Sequence, residues 1–160
     1  MADTVAGFER LRAAGKIRRW GVSNFDTADM RELLSLPEGR HCASNQVLYN
    51  LRERGIEYSL RPLCQQHGIP LMAYSPLHQG VLLRDRKLAT LAARLEVTPA
   101  QLALAWVLAQ DNVMAIPKSS SIERLRECRS AVALRLDRAT RDALDAAYPP
   151  PSRETPLAMI

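Results

Sequence analysis

The sequence predicts an α/β fold of about four β/α units with parallel strands, half of an eightfold (β/α)8 TIM barrel, and three observations carry that expectation. Short apolar runs of strand length alternate with longer stretches of helical period. Strands separated by helices in this way run parallel, because parallel neighbours need a crossover connection. Arg18 to Ala147 is 130 residues holding four such units, about 32 each; eight at that rate would be about 260, close to the ~250 of a closed barrel. A doubly wound open sheet also satisfies the alternation, but no Gly-x-Gly-x-x-Gly follows the first strand and no Gly-x-x-x-x-Gly-Lys-[Ser/Thr] occurs.

Each element has a local cause. Thr4 to Ala14 reads as a helix with Val5, Phe8 and Leu11 on one face and Gly15 as its stop. Ile17 to Phe25 follows as a strand and its turn. Asp26 or Thr27 caps a helix to about Leu36, which Pro37 and Gly39 end. Ala43 to Tyr49 is the second apolar run, Glu57 to His67 is helical and closed by Gly68, and Leu71 to Tyr74 is the third strand. Lys87 to Leu95 makes one helix. Thr98-Pro99 opens another with a cap and a proline at the first helical position, carrying Leu102, Ala105, Trp106 and Ala109 towards a core. Val113 to Ile116 is the fourth strand, Ser121 opens the next helix, and Asp137 caps a last one to about Ala147. Residues 1–148 are thus expected to form one domain. Residues 149–160, beginning Pro149-Pro150-Pro151, are expected to be an extended or disordered tail.

Composition excludes several function classes. The chain has 160 residues, 47% hydrophobic and 24% charged, which is a globular composition with no run near the ~18 apolar residues of a membrane span. The start, Met1-Ala2-Asp3-Thr4, lacks the basic-then-apolar order of a signal peptide. Three cysteines, Cys42, Cys64 and Cys128, are odd in number and far apart, so neither a disulfide framework nor a metal site is indicated, and reduced thiols in a cytoplasm fit them. The formal charge of +5 is spread over helical segments, and the densest run, Arg84-Asp85-Arg86-Lys87, has no interleaved aromatic. Nucleic acid is not an expected partner. A small phosphate-bearing ligand needs only two or three of these cations.

In a barrel, functional side chains gather where strands end and the following loops begin. Strand one ends in Ser23-Asn24, strand two includes Asn45-Gln46, strand three ends in Tyr74-Ser75, and strand four runs into Pro117-Lys118-Ser119. Singly, these read as a turn, a satisfied core amide, a packing ring and a solvated charge. Together they place amide, hydroxyl and ammonium groups on one rim, where burial without a partner or ligand would cost a few kcal/mol each.

Gly21-Val22-Ser23-Asn24-Phe25, Asn45-Gln46-Val47-Leu48-Tyr49-Asn50, Ala73-Tyr74-Ser75-Pro76-Leu77 and Ile116-Pro117-Lys118-Ser119, in that order and spacing, resemble the C-terminal half of an aldo-keto reductase, over nearly the whole chain. Asn50-Leu51-Arg52-Glu53-Arg54-Gly55-Ile56-Glu57 gives the resemblance a bacterial flavour. It implies an NADP-dependent oxidoreductase that reduces aldehydes or ketones. It further implies that Ser23, Asn24 and Gln46 hydrogen-bond the nicotinamide carboxamide and that Tyr74 stacks on the ring. A carboxamide offers one acceptor and two N–H donors, which hydroxyl and amide side chains match, and an aromatic face fixes the ring. By the same resemblance Ser75 and Leu77 sit at the pyrophosphate, and Lys118, Ser119 and Arg124 grip the adenosine 2′-phosphate, with Glu127 as the family's later glutamate. A cation, hydroxyls and free helix N–H groups at Ser121 make an anion site, favouring NADP(H) over NAD(H). Cys128 stands where many relatives have asparagine.

The resemblance also places the family's catalytic aspartate, tyrosine, lysine and histidine on strands that precede this segment, so no catalytic residue is assigned. The family mechanism needs a tyrosine as general acid while hydride arrives from the cofactor. Tyr74 is the stacking ring, Tyr49 and Tyr58 read as packing, Tyr148 precedes the tail, and His41, His67 and His78 sit in loop or helix-end contexts. The isolated chain is therefore expected to be inactive. Open edges at Ile17 to Val22 and Val113 to Ile116 predict self-association or a complementary N-terminal half. Three functions follow: an oxidoreductase half acting on a small carbonyl substrate, a noncatalytic NADP(H)-binding or scaffold module, or a truncated remnant.

Overall fold

A computed structural model describes all residues 1–160. Eleven regular elements alternate along the chain, with short 3-10 turns between them: α1 (Ala2–Ala13), β1 (Trp20–Ser23), α2 (Thr27–Ser35), β2 (Cys42–Leu48), α3 (Leu60–Gln66), β3 (Leu71–Tyr74), α4 (Arg86–Arg94), α5 (Pro99–Leu108), β4 (Val113–Ala115), α6 (Ile122–Ser130) and α7 (Arg138–Ala147). All three strand pairings are parallel and the order is β1-β2-β3-β4, so each crossover returns to the neighbouring strand and β1 and β4 are the edges. This is the expected half of a (β/α)8 barrel.

Four caps are those the sequence announces, and Asp85 adds an unannounced one at α4 by accepting from Lys87 and Leu88 N–H. Asp26 accepts from the backbone N–H of Ala28 and Asp29, with Asp29 returning the capping box; Thr98 and Gln101 do the same at α5, with Pro99 behind the cap. Ser121 and Asp137 accept from Arg124 and Thr140 at α6 and α7.

Register sorts the strands into rows. Val22, Asn45, Leu71 and Val113 lie in one row and Val47, Ala73 and Ala115 in another, on the face against the helices. There Asn45, Val47, Leu71 and Ala73 are buried and pack with Met30, Leu33, Leu102 and Trp106. The opposite face carries the row Ser23, Gln46, Met72 and Met114, then Leu48 and Tyr74. That concave face is not covered: Met72, Gln46 and Tyr74 are only half-buried and Met114 is 40% exposed. Side chains on it would fill the interior of a closed barrel.

Five expectations are corrected. The first strand is shorter than Ile17 to Phe25, because positive-φ Gly15 and the loop to Arg19 precede it and Asn24 turns left-handed after it. The helix expected over Glu57 to His67 is a 3-10 turn at Gly55–Glu57 followed by α3, with Tyr58 between them half exposed rather than packed. Leu11 and Ala109 face solvent. In place of Ala109, α5 buries Ala103, Leu104 and Val107 as well as the expected positions, since it is enclosed on nearly all sides. No single helix is long and apolar enough to cross a membrane.

α1 is tied to the β1 edge by its polar and aromatic residues. Trp20 Nε1 donates to Glu9 Oε1 at 2.6 Å, and the Phe8 and Trp20 rings stack at 5.5 Å. Residues 149–160 form no helix or strand, yet Ser59 donates to Glu154 and Leu157 packs against the core.

Candidate functional site

The carboxyl ends of β1, β2 and β3 bring five of the expected residues onto one rim. Ser23 and Gln46 are register partners, Ser23 Oγ donates to the Gln46 carbonyl at 3.2 Å, and Asn24 N–H donates to the same oxygen at 2.8 Å. Tyr74 lies one strand further and faces the same side as Gln46, because its register partner Leu48 is two residues on from Gln46. Ser75 follows it directly.

The backbone here is in unusual conformations. Asn24 has φ 55°, Ser75 φ 47°, and His78 and Gln79 φ 47° and 52°, all in the left-handed region that side chains other than glycine rarely adopt. Such conformations persist where surrounding structure over-determines them, and they cluster at ligand sites. Two buried amides do the over-determining. Asn45 donates from Nδ2 to the Phe25 carbonyl at 2.8 Å and accepts from Phe25 N–H at 3.4 Å, clamping the loop that contains Asn24. Asn50 accepts from the N–H groups of Arg52 and Glu53 and donates to the Ser75 carbonyl at 3.0 Å, tying the loop after β2 to the loop after β3. Asn45, grouped with Gln46 on the rim from the sequence, faces the helices instead because neighbouring strand residues alternate sides, and Asn50 was not among the expected site residues. Their signal in the sequence was a polar residue inside an apolar strand and another just past its end.

Asn24 Oδ1 and the Tyr74 hydroxyl are buried with no hydrogen-bond partner in the protein. Unmet polar atoms of this kind are rare in folded proteins and suit an external donor or acceptor. A carboxamide fits Asn24 by its chemistry, since its N–H donates to the amide oxygen.

Lys118, Ser119, Arg124 and Glu127 form a second group, around the exit of β4 and the start of α6. Lys118 and Arg124 are exposed and enter no ion pair. Ser119 Oγ accepts from Ser121 N–H at 3.1 Å, and Ser121 caps the helix. Two free cations beside a helix amino terminus suit a phosphate. Glu127 is engaged elsewhere: it accepts from Thr98 Oγ1 and so joins α6 to the cap of α5. Leu77 is half-buried against the core.

A third feature was not expected. The large cavity, about 850 Å³, lies between the first turn of α2, the loop after β2 and residues 149–158, and none of the expected site residues lines it. Beside it sits a buried cation. Arg54, its side chain 9% exposed, donates from Nε and Nη2 to the two carboxylate oxygens of Glu57, each at 2.8 Å, and from Nη1 to Asp145 at 2.7 Å and to the Tyr148 carbonyl. Its guanidinium lies 4.8 Å from the centre of the Trp106 ring. Tyr49 donates to Glu57 at 2.7 Å, and burial first, then that carboxylate, pushes its phenol well above the ordinary range.

Comparison with known proteins gives this arrangement a family. The aldo/keto reductase family model matches residues 1–149. The chain belongs to the aldo/keto reductase family. Among members of known name, this aldo/keto reductase chain is 48% identical over 163 residues to the methylglyoxal reductase YeaE of Escherichia coli K12, covering 99% of the chain and 57% of the relative. It is 38% identical over 144 residues to the glyoxal reductase of Bacillus subtilis 168, covering 90% of the chain and 51% of that protein. An aldo-keto reductase from Klebsiella pneumoniae, solved in complex with NADPH, superposes with a TM-score of 0.94 at 48% identity over 98% of this chain and 57% of its own. The chain thus spans between one half and three fifths of each of these three relatives.

Proposed function

We propose that these residues are the cofactor-gripping part of an NADP(H)-dependent reductase of small aldehydes and ketones. The observation that carries the reading is Asn24: left-handed, clamped by Asn45, and presenting a buried Oδ1 without a partner beside Gln46 and Tyr74. The NADPH of the Klebsiella relative and the names of the methylglyoxal and glyoxal reductases support NADP(H) as cofactor and α-dicarbonyls as substrates.

In this reading Ser23, Asn24 and Gln46 hold the carboxamide and Tyr74 packs on one face of the nicotinamide. Ser75 and Leu77 border the pyrophosphate, Lys118, Ser119 and Arg124 take the 2′-phosphate, and Glu127 borders that site through α6. When bound, the reduced nicotinamide supplies hydride to a carbonyl carbon. This chain's residues orient the ring and exclude water from one face. The proton for the carbonyl oxygen needs another donor. Tyr49 is spent on Glu57 within the core, and Tyr74 is assigned to stacking. The 160 residues alone are therefore proposed to bind cofactor without turnover, the uncovered concave face receiving a complementary half or a second copy.

Titration of the purified chain with NADPH, followed by its fluorescence, tests the reading, together with NADPH oxidation over a panel of small aldehydes. Saturable binding that weakens in the Asn24→Ala variant supports it. Absence of saturable binding rejects it. Binding by both the chain and its mixture with a complementary half, with turnover by neither, would favour a noncatalytic cofactor-binding module.

A further inference from the structure

The C-terminal segment has no regular structure of its own, yet it is fixed at two separated points. At its root, Arg54 reaches it from the loop after β2: one guanidinium holds both oxygens of Glu57, the Asp145 carboxylate of α7 and the Tyr148 carbonyl, at the residue where α7 ends. Further along, Ser59 donates to Glu154 while its hydroxyl meets Thr27 Oγ1 at 2.7 Å, so α2, the start of α3 and the segment share one hydrogen-bonded chain. Thr155 lies so close to Gly55 that a Cβ added there would stand 2.7 Å from its hydroxyl. From Pro149 to Ala158 the segment forms one wall of the 850 Å³ cavity.

We infer that Arg54 is a positioning residue: its forked guanidinium sets where the C-terminal segment leaves α7 and, with the Ser59–Glu154 latch, holds residues 149–158 as a strap across the cavity. Only a planar fork can do this. Glu57 takes the Nε and Nη2 side, leaving Nη1 for Asp145 and the Tyr148 carbonyl, whereas a lysine ammonium satisfies one side and abandons the other. The strap so held bounds a small-molecule pocket next to the strand ends, since Leu48, the last residue of β2, also lines it. Naming a small carbonyl compound as its occupant rests on the reductase reading; the positioning role does not.

Backbone 15N relaxation of the full chain, which reads mobility whether or not an N–H is hydrogen-bonded, tests it. In the unaltered protein, Ser152 to Thr155 are expected to show order parameters near the rigid-backbone value of about 0.85. Arg54→Lys should lower them below about 0.6 while residues of β3 and β4 stay unchanged. NADPH affinity should stay within about twofold, because no proposed cofactor contact is altered. Ser59→Ala and Glu154→Gln should loosen the segment around residue 154 but not at Tyr148, and they decide the matter if the Arg54 variant fails to fold. A mobile segment in the unaltered protein, an ordered one in a folded lysine variant, or a uniform loss of order over the whole of a folded variant would each overturn the inference. Failure of NADPH to bind would count against the reductase reading alone.

Discussion

Asn45 and Phe25, twenty residues apart, are joined by two hydrogen bonds: the fully buried asparagine donates to the Phe25 carbonyl at 2.8 Å and accepts from its N–H at 3.4 Å. An amide in the helix-facing row of β2 thereby splints the loop leaving β1, and Asn24, the residue between strand and splint, has little choice but its left-handed turn.

Replacing Asn45 by leucine should remove both bonds while keeping the side chain's size. The Phe25 N–H and C=O are then left without partners, and the expected loss of stability is about 1 to 3 kcal/mol by denaturant unfolding. NADPH binding should weaken as well. A variant as stable as the parent would show that the loop holds itself.

Lys118→Ala combined with Arg124→Ala removes two exposed cations that make no ion pair, so melting should barely move. Binding of NADPH should fall at least about tenfold while that of NADH changes little, since only the former carries the 2′-phosphate. Equal losses for both cofactors would dissociate these residues from the phosphate.

Gly39 stands against α2, where an added Cβ would meet the Leu33 carbonyl oxygen at 1.9 Å. Its contribution is close approach of two backbones. Gly39→Ala should cost about 1 to 3 kcal/mol or more in unfolding experiments, because backbone rather than a flexible side chain must move.

The thiols offer a test by pH. Cys42 and Cys64 are buried, and burial, then the neighbouring Cys42, pushes the Cys64 thiol up to about 11. A group raised in the folded state gives stability that is complete below its ordinary value near 9 and lost as pH rises through the folded one. Stability should therefore fall between about pH 9 and 11, and less so in Cys64→Ala. At neutral pH a thiol-labelling reagent should modify half-buried Cys128 before the other two.

Sedimentation at tens of micromolar tests the concave face. With β1 and β4 as unpaired edges and Met114 exposed, the purified chain is expected to self-associate reversibly. A monomer that still melts cooperatively would mean that the helix layer alone sustains the sheet.

Much of this molecule was legible in its residues. Helix caps at Asp26, Thr98, Ser121 and Asp137, the four apolar runs and their period determined the order of elements and the half-barrel, because capping and periodicity are local properties of a chain. The motifs from Ser23 to Ser75 likewise marked the rim. Tertiary structure decided what depends on residues far apart in sequence. It set the clamp of Asn45 on Phe25, the engagement of Glu127 by Thr98 and the fork of Arg54 reaching 91 residues to Asp145. It also drew residues 149–158 over a cavity that their composition did not announce. A hydrogen bond between distant segments leaves no period and no spacing in the sequence; it exists only once packing has brought donor and acceptor within 3 Å or so of each other.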